Sequence, residues 1–76
     1  MSFIINYINR HLMIHFSDIM NSAEIIITND DSSELIKKVY VENKEFVNLK
    51  LNLKKGCYNI RIVSKTEENT KSIIVN

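Results

Sequence analysis

The stretch Leu51–Ser64, LNLKKGCYNIRIVS, contains Gly56, the only glycine of this 76-residue chain. Apolar and polar residues alternate before this glycine and again after it. With a period of two, each alternating set lies on one face of a β-strand. We therefore predict two strands joined by a short turn in which Gly56 adopts a positive φ angle, because only glycine does so at little cost.

Tyr58 follows the glycine by two positions, at the start of a strand that we expect to be central. In immunoglobulin-like (Ig-like) sandwiches, a tyrosine near the start of the penultimate strand buries its ring and bonds its hydroxyl to nearby backbone. The position of Tyr58 predicts the same structural corner, rather than contact with a ligand.

The same alternation recurs along the chain and predicts an all-β fold. The runs that read as strands are FIINYI, RHLMIHF, AEIIITN, ELIKKVYVE, FVNLKLNL, CYNIRIVS and KSIIVN. The predicted turns and loops are Asn9-Arg10, SDIMNS (17–22), NDDSS (29–33), ENKE (42–45), KKG (54–56) and KTEEN (65–69). About seven strands at roughly 11-residue spacing favour a single Ig-like antiparallel β-sandwich over residues 1–76. A helix over Ser32–Phe46 is the competing interpretation, because Ser and Glu stand where a capping pattern needs them.

The alternation also predicts which side chains form the core between the two sheets. The predicted core consists of Leu12, Ile14, Phe16, Ile25, Ile27, Val39, Val47, Leu49, Leu51, Tyr58, Ile60, Ile62, Ile73 and Val75.

Composition excludes several classes of function. A net charge of +1 gives no long-range attraction to nucleic acid or to an anionic membrane. A helix needs about 20 apolar residues to span a bilayer, and no apolar run in this sequence is that long. Cys57 is the only cysteine, so no internal disulfide forms, and no Cys/His cluster predicts zinc.

No residue is predicted to be catalytic, to hold a cofactor or to bind a metal. His11 and His15 lie about 13 Å apart on a strand and are expected to face solvent rather than share a metal. The other candidates are interpreted as solvated turns and surface charges: Asp30, Asp31, Glu34, Lys37, Lys38, Lys54, Lys55, Glu67 and Glu68. Cys57 lacks a base at a readable spacing, so an enzyme is the least favoured function.

Ile26 and Ile74 fall on the faces opposite their strands' core sets, and Met13 is a candidate to join them. The outer face of an antiparallel sheet is normally polar. Two interpretations remain open: a covered face that mediates a homodimer or strand exchange, or isolated surface aliphatics. The first strand is weakly specified, and if it detaches it leaves an edge that is able to pair with another chain.

The pattern L-x-L-x-x-G-x-Y-x-I-x-I with a closing K-x-I-I-V resembles two related bacterial groups over Leu12–Asn76. These groups are the small Ig-like β-sandwich domain of unknown function from secreted gut-bacterial proteins and the C-terminal sorting domain of the type IX (Por) secretion system. The matching residues are Leu51, Leu53, Gly56, Tyr58, Ile60, Ile62, Lys71, Ile73, Ile74 and Val75. The resemblance implies an extracytoplasmic protein whose leader has been removed, and it transfers no catalytic residue.

The leading functional hypothesis is a non-enzymatic binding or structural module that recognises a protein partner by its loops or by an exposed edge. The alternative is a sorting or docking domain that a secretion machinery recognises, although such domains normally follow a large passenger domain. The opening MSFIINYINRH is not typical of a signal peptide. The location outside the cell therefore depends on a removed leader, and a native start at Met1 predicts an intracellular protein.

Overall fold

The computed structural model describes all residues from Met1 to Asn76 and contains five strands and no helix. The strands are β1 (Phe3–Ile8), β2 (His11–Asn29), β3 (Leu35–Lys50), β4 (Gly56–Val63) and β5 (Glu68–Val75). Three-quarters of the residues lie in strands, which confirms the predicted all-β class. The helical interpretation of residues 32–46 is wrong, because that segment forms most of β3.

The prediction of about seven strands is wrong, because two predicted loops lie inside long strands. Residues 17–22 continue β2, and residues 42–45 continue β3. The buried residues of β2 are even-numbered up to Phe16 and odd-numbered from Ala23. A strand of strict period two cannot bury both sets on one face, so the pairing with β3 shifts register between His15 and Met20.

All five strands belong to one antiparallel sheet, which curls into a half-barrel; the predicted two-layered sandwich is not shown. β2 is central: β3 pairs along one edge, while β1 and β4 share the other edge and β5 pairs with β4. A straight strand with the 19 residues of β2 would extend about 60 Å. The molecule's longest extent is only 32 Å, so β2 must bend sharply.

The core fills the concave side of the curled sheet, and the alternation predicted most of it. Nine of the thirteen buried residues were predicted, and the four that were missed are Phe3, Ala23, Val41 and Leu53. Five predicted core residues are only partly buried and pack at its margin: Val39, Leu49, Leu51, Ile73 and Val75.

The predicted hairpin turn KKG (54–56) is wrong, because β3 does not pair with β4, and the predicted strand through Leu53 ends at Lys50. β3 and β4 lie on opposite edges of β2, so the chain must cross between them. The segment Leu51–Lys55 leaves near the start of β2, where Leu51 N–H donates to Arg10 O, and enters β4 beside the end of β2. It therefore crosses the concave side of the bent sheet, where Leu53 is buried.

Two tyrosines hold this crossing segment. The Tyr7 hydroxyl donates to Leu51 O at 2.6 Å and accepts from Leu53 N–H at 3.0 Å. The Tyr58 ring is buried, and its hydroxyl donates to Lys54 O at 2.6 Å, which confirms the predicted corner geometry. The role of Tyr7 was not predicted.

Gly56 starts β4 with φ of +153°, which confirms the predicted positive angle. No atom lies within 4 Å of the position that a Cβ would occupy. Backbone conformation, rather than space, therefore explains the glycine.

The predicted turn at Asn9-Arg10 is confirmed. Both residues have positive φ, 51° and 68°, as a two-residue hairpin between β1 and β2 requires. The predicted turn after β2 is confirmed as well: Asn29 Oδ1 accepts from the N–H groups of Asp31 and Ser32.

Candidate protein-binding face

One outer surface of the sheet is formed by β1, the first part of β2 and the last part of β3. Three rows of side chains cross it: Ile4–His15–Phe46, Asn6–Met13–Asn48 and Ile8–His11–Lys50. Residues directly opposite in such rows have Cβ atoms about 5 Å apart, so each row is continuous. The three rows place two isoleucines, a methionine and a phenylalanine on one surface.

We call Ile4, Ile8, Met13 and Phe46 the outer apolar face. Ile4, Ile8 and Phe46 are 65%, 55% and 50% exposed, and Met13 is half-buried at the centre. The Phe46 ring stands edge-on to His15, with ring centroids 6.2 Å apart. The opposite side chains of the same strands fill the core, so these four residues point away from it.

The border of the outer apolar face is polar and has a cationic end. His11 Nδ1 lies 2.9 Å from Asn48 Oδ1, beside Lys50 and the turn residue Arg10. At the other end, His15 Nε2 lies 3.7 Å from Glu45 Oε1 on the surface. An apolar patch bordered by polar groups is typical of an interaction site.

His11 and His15 lie on the outer side of β2, as predicted. They are two residue rows apart, and each has its own neighbour in β3. Nowhere in the chain do three His, Cys, Asp or Glu side chains gather in a group that would hold a metal ion.

The remaining polar candidates are placed separately. Asp30, Asp31 and Glu34 are exposed around the turn after β2, as predicted. Glu67 binds the amino group of Met1 at 2.9 Å, whereas Glu68 faces Arg61 at 3.8 Å. These two carboxylates therefore have separate cationic partners.

The last candidate residues from the sequence analysis are Cys57 and the lysine pairs. Cys57 is a half-buried free thiol in β4, opposite Ile74 of β5. Lys54 and Lys55 are exposed on the crossing segment, and Lys38 pairs with Glu24 at 3.1 Å.

The second apolar stripe that Ile26 and Ile74 suggested is not continuous with Met13. Ile26 is half-buried between Lys38 of β3 and Arg61 of β4, in the other half of the sheet. Ile74 is 71% exposed on β5. Met13 instead belongs to the outer apolar face.

Sequence reasoning missed three of the four residues of that face. Phe46 carried a usable signal, since it is in phase with Asn48 and Lys50 and opposite in phase to the buried Val47. Ile4 and Ile8 carried none, because both alternating sets of β1 are largely apolar.

No protein-family model matches this chain, and no curated protein matches its sequence. None of its segments forms a helix capable of crossing a membrane.

Proposed function

We propose that this chain is a non-enzymatic protein-binding module that recognises its partner through the outer apolar face. The observation that carries the proposal is that Ile4, Ile8 and Phe46 each lie diagonally across from Met13, one strand and one row away, on a sheet surface where polar side chains are the rule. Scattered aliphatics need no explanation, but three exposed apolar side chains diagonal to one methionine, within reach of long side chains, do.

The size of the face favours a short ligand segment. Three strands spaced about 4.8 Å apart and six residues long cover only about 10 by 17 Å. A stable dimer of globular proteins buries about 800 Å² on each partner, several times that area. The outer apolar face therefore suits a short peptide segment of another protein.

The charges at the border indicate the chemistry of that segment. Arg10 and Lys50 stand at the Ile8 end and attract carboxylates, whereas Glu45 stands at the Phe46 end. The proposed ligand is a peptide with aliphatic or aromatic side chains followed by one or two acidic residues, which lie toward Ile8.

The proposal includes a relationship to the small Ig-like domains of secreted gut-bacterial proteins and, with it, a location outside the cytoplasm. The hydroxyl contact of Tyr58 with Lys54 O supports the relationship, whereas the single five-stranded sheet departs from a sandwich. Cell fractionation and sequencing of the mature N-terminus test the location. Recovery only from the cytoplasm, with Met1 retained, would contradict it.

The binding proposal is tested by selection from a random 12-residue peptide library displayed on phage, using the whole chain as bait. Enriched peptides are expected to combine apolar and acidic residues. Binding of a selected synthetic peptide is then measured by calorimetry against Phe46→Ser, Ile8→Ser and Ile74→Ser. The first two variants remove exposed apolar side chains from the face, and we expect each to weaken binding about tenfold.

Ile74→Ser is the matched control, because it makes the same kind of change at an exposed position of β5. It should leave the affinity unchanged. The proposal is rejected if no peptide is enriched, or if the Phe46→Ser and Ile8→Ser variants bind as tightly as the control.

A further inference from the structure

The outer edge of β3 is the longest unpaired edge of the curled sheet. β3 pairs only with β2. The edges of β1 and β5, in contrast, are bridged by side chains: Asn69 donates to Met1 O and Lys71 donates to Phe3 O. An unpaired edge strand of 16 residues offers backbone groups for pairing with another strand.

The backbone groups of the last part of β3 are oriented for such pairing. Leu51 N–H donates to Arg10 O, so odd-numbered residues of this part direct their backbone groups toward β2. The groups of Phe46, Asn48 and Lys50 therefore face away from the sheet. These even-numbered residues also have outward-facing side chains, whereas Val47 is buried.

We propose that two copies of this chain associate through antiparallel pairing of their β3 edges, with the two-fold axis at Asn43. In this register, Glu42 of each copy lies opposite Lys44 of the other. Tyr40 lies opposite Phe46 of the second copy, and Val39 lies opposite Val47. Opposite charges and aromatic pairs are the favourable cross-strand neighbours in antiparallel sheets.

Neighbouring registers are less favourable. The two faces of the sheet stay matched only if even-numbered residues pair with even-numbered residues. An axis at Glu42 places two glutamates opposite each other, and an axis at Lys44 does the same with two lysines. An axis at Tyr40 would use Lys38, which already pairs with Glu24 at 3.1 Å.

The axis at Asn43 also agrees with the shape of β3. Asn43 has φ of 51°, within the stretch where β2 and β3 bend together. With the axis there, the bends of the two copies coincide, and both halves of each strand remain able to pair. The pairing extends each outer apolar face, because Tyr40 of the second copy continues the row Ile4–His15–Phe46.

The inference goes beyond the proposed function and does not depend on it, since peptide binding needs no second copy. The test is sedimentation equilibrium of the whole chain up to about 1 mM, where weak association is still populated. The variants are Glu42→Lys, Lys44→Glu and the double exchange. Both side chains are exposed, so the fold is expected to persist, and far-UV circular dichroism checks this.

We expect a dimer whose dissociation constant rises by about tenfold or more in each single variant, because like charges then face each other twice. The double exchange should restore the wild-type value. Lys65→Glu, an equal charge change in the β4–β5 turn, is the control and should dimerise normally. A monomeric wild-type chain overturns the inference, and so does a dimer that the single variants leave intact.

Discussion

Removing the Tyr7 hydroxyl provides the most direct test of how the crossing segment is attached to β1. The Tyr7→Phe variant keeps the ring but loses two hydrogen bonds to the crossing segment Leu51–Lys55. It leaves the Leu53 N–H without its partner beside a buried side chain. Each lost hydrogen bond costs about 1 kcal/mol, and an unsatisfied donor adds to this, so we expect a loss of about 2–3 kcal/mol.

The chain supplies its own graded series, because it has three tyrosines. Tyr58→Phe loses one hydrogen bond, to Lys54 O, and should lower the free energy of unfolding by about 1 kcal/mol. Tyr40 is 60% exposed, and its hydroxyl has no hydrogen-bond partner. Tyr40→Phe is therefore the control and should stay within about 0.5 kcal/mol of the wild type.

Equilibrium unfolding in urea, followed by far-UV circular dichroism, measures the three effects. A domain of this length has a stability of about 4–11 kcal/mol and a slope near 1 kcal/mol/M. The Tyr7→Phe loss then moves the midpoint by about 2–3 M, which is readily measured. If Tyr7→Phe unfolds at the same urea concentration as Tyr40→Phe, the two hydrogen bonds of this hydroxyl do not stabilise the crossing segment, and the reasoning is wrong.

Two further substitutions test the backbone conformation of Gly56 and the contact between β1 and β5. Gly56→Ala should lower the free energy of unfolding by about 1–2 kcal/mol. The added methyl group contacts no atom, so the loss comes from backbone strain at φ +153° alone. Thermal unfolding measures the loss, and an unchanged midpoint would refute the strain argument. Lys71→Met keeps an unbranched apolar side chain but removes the ammonium group that donates to Phe3 O and lies 5.2 Å from the centroid of the Phe3 ring. We expect faster amide hydrogen exchange in β1 and β5 of the variant than in the wild type, with little change in β3. Unchanged exchange rates in β1 and β5 would show that the Lys71 contact does not stabilise these two strands.

Local alternation was sufficient to predict the strand class and most of the core, but not the number of strands. The polar residues Ser17, Asp18 and Asn21 resemble a loop by composition, yet they lie in the bent part of β2. A loop and a bulged bend contain the same residue types, because both expose backbone to water. The change from even-numbered to odd-numbered apolar residues between Phe16 and Ala23 was visible in the sequence, and either structure accounts for it.

The crossing of Leu51–Lys55 was not predictable by the same reasoning. Strands that are adjacent in sequence usually pair, so a short link ending in Gly56 was interpreted as a hairpin. Only the bend in β2, which brings its ends toward each other, lets five residues join opposite edges of the sheet. The role of Tyr7 follows from that crossing and carries no local signal.

The alternation of β3 keeps fold and association experimentally separable. Val41 and Val47 face the core, whereas Glu42, Lys44 and Phe46 are exposed along the same strand. Substitutions at the exposed positions therefore change what the edge and the outer face present to a partner and leave the buried packing in place. A shared loss of stability and association in the charge variants would show that the edge residues also hold the monomer together, and that β3 does not divide its two roles between its two faces.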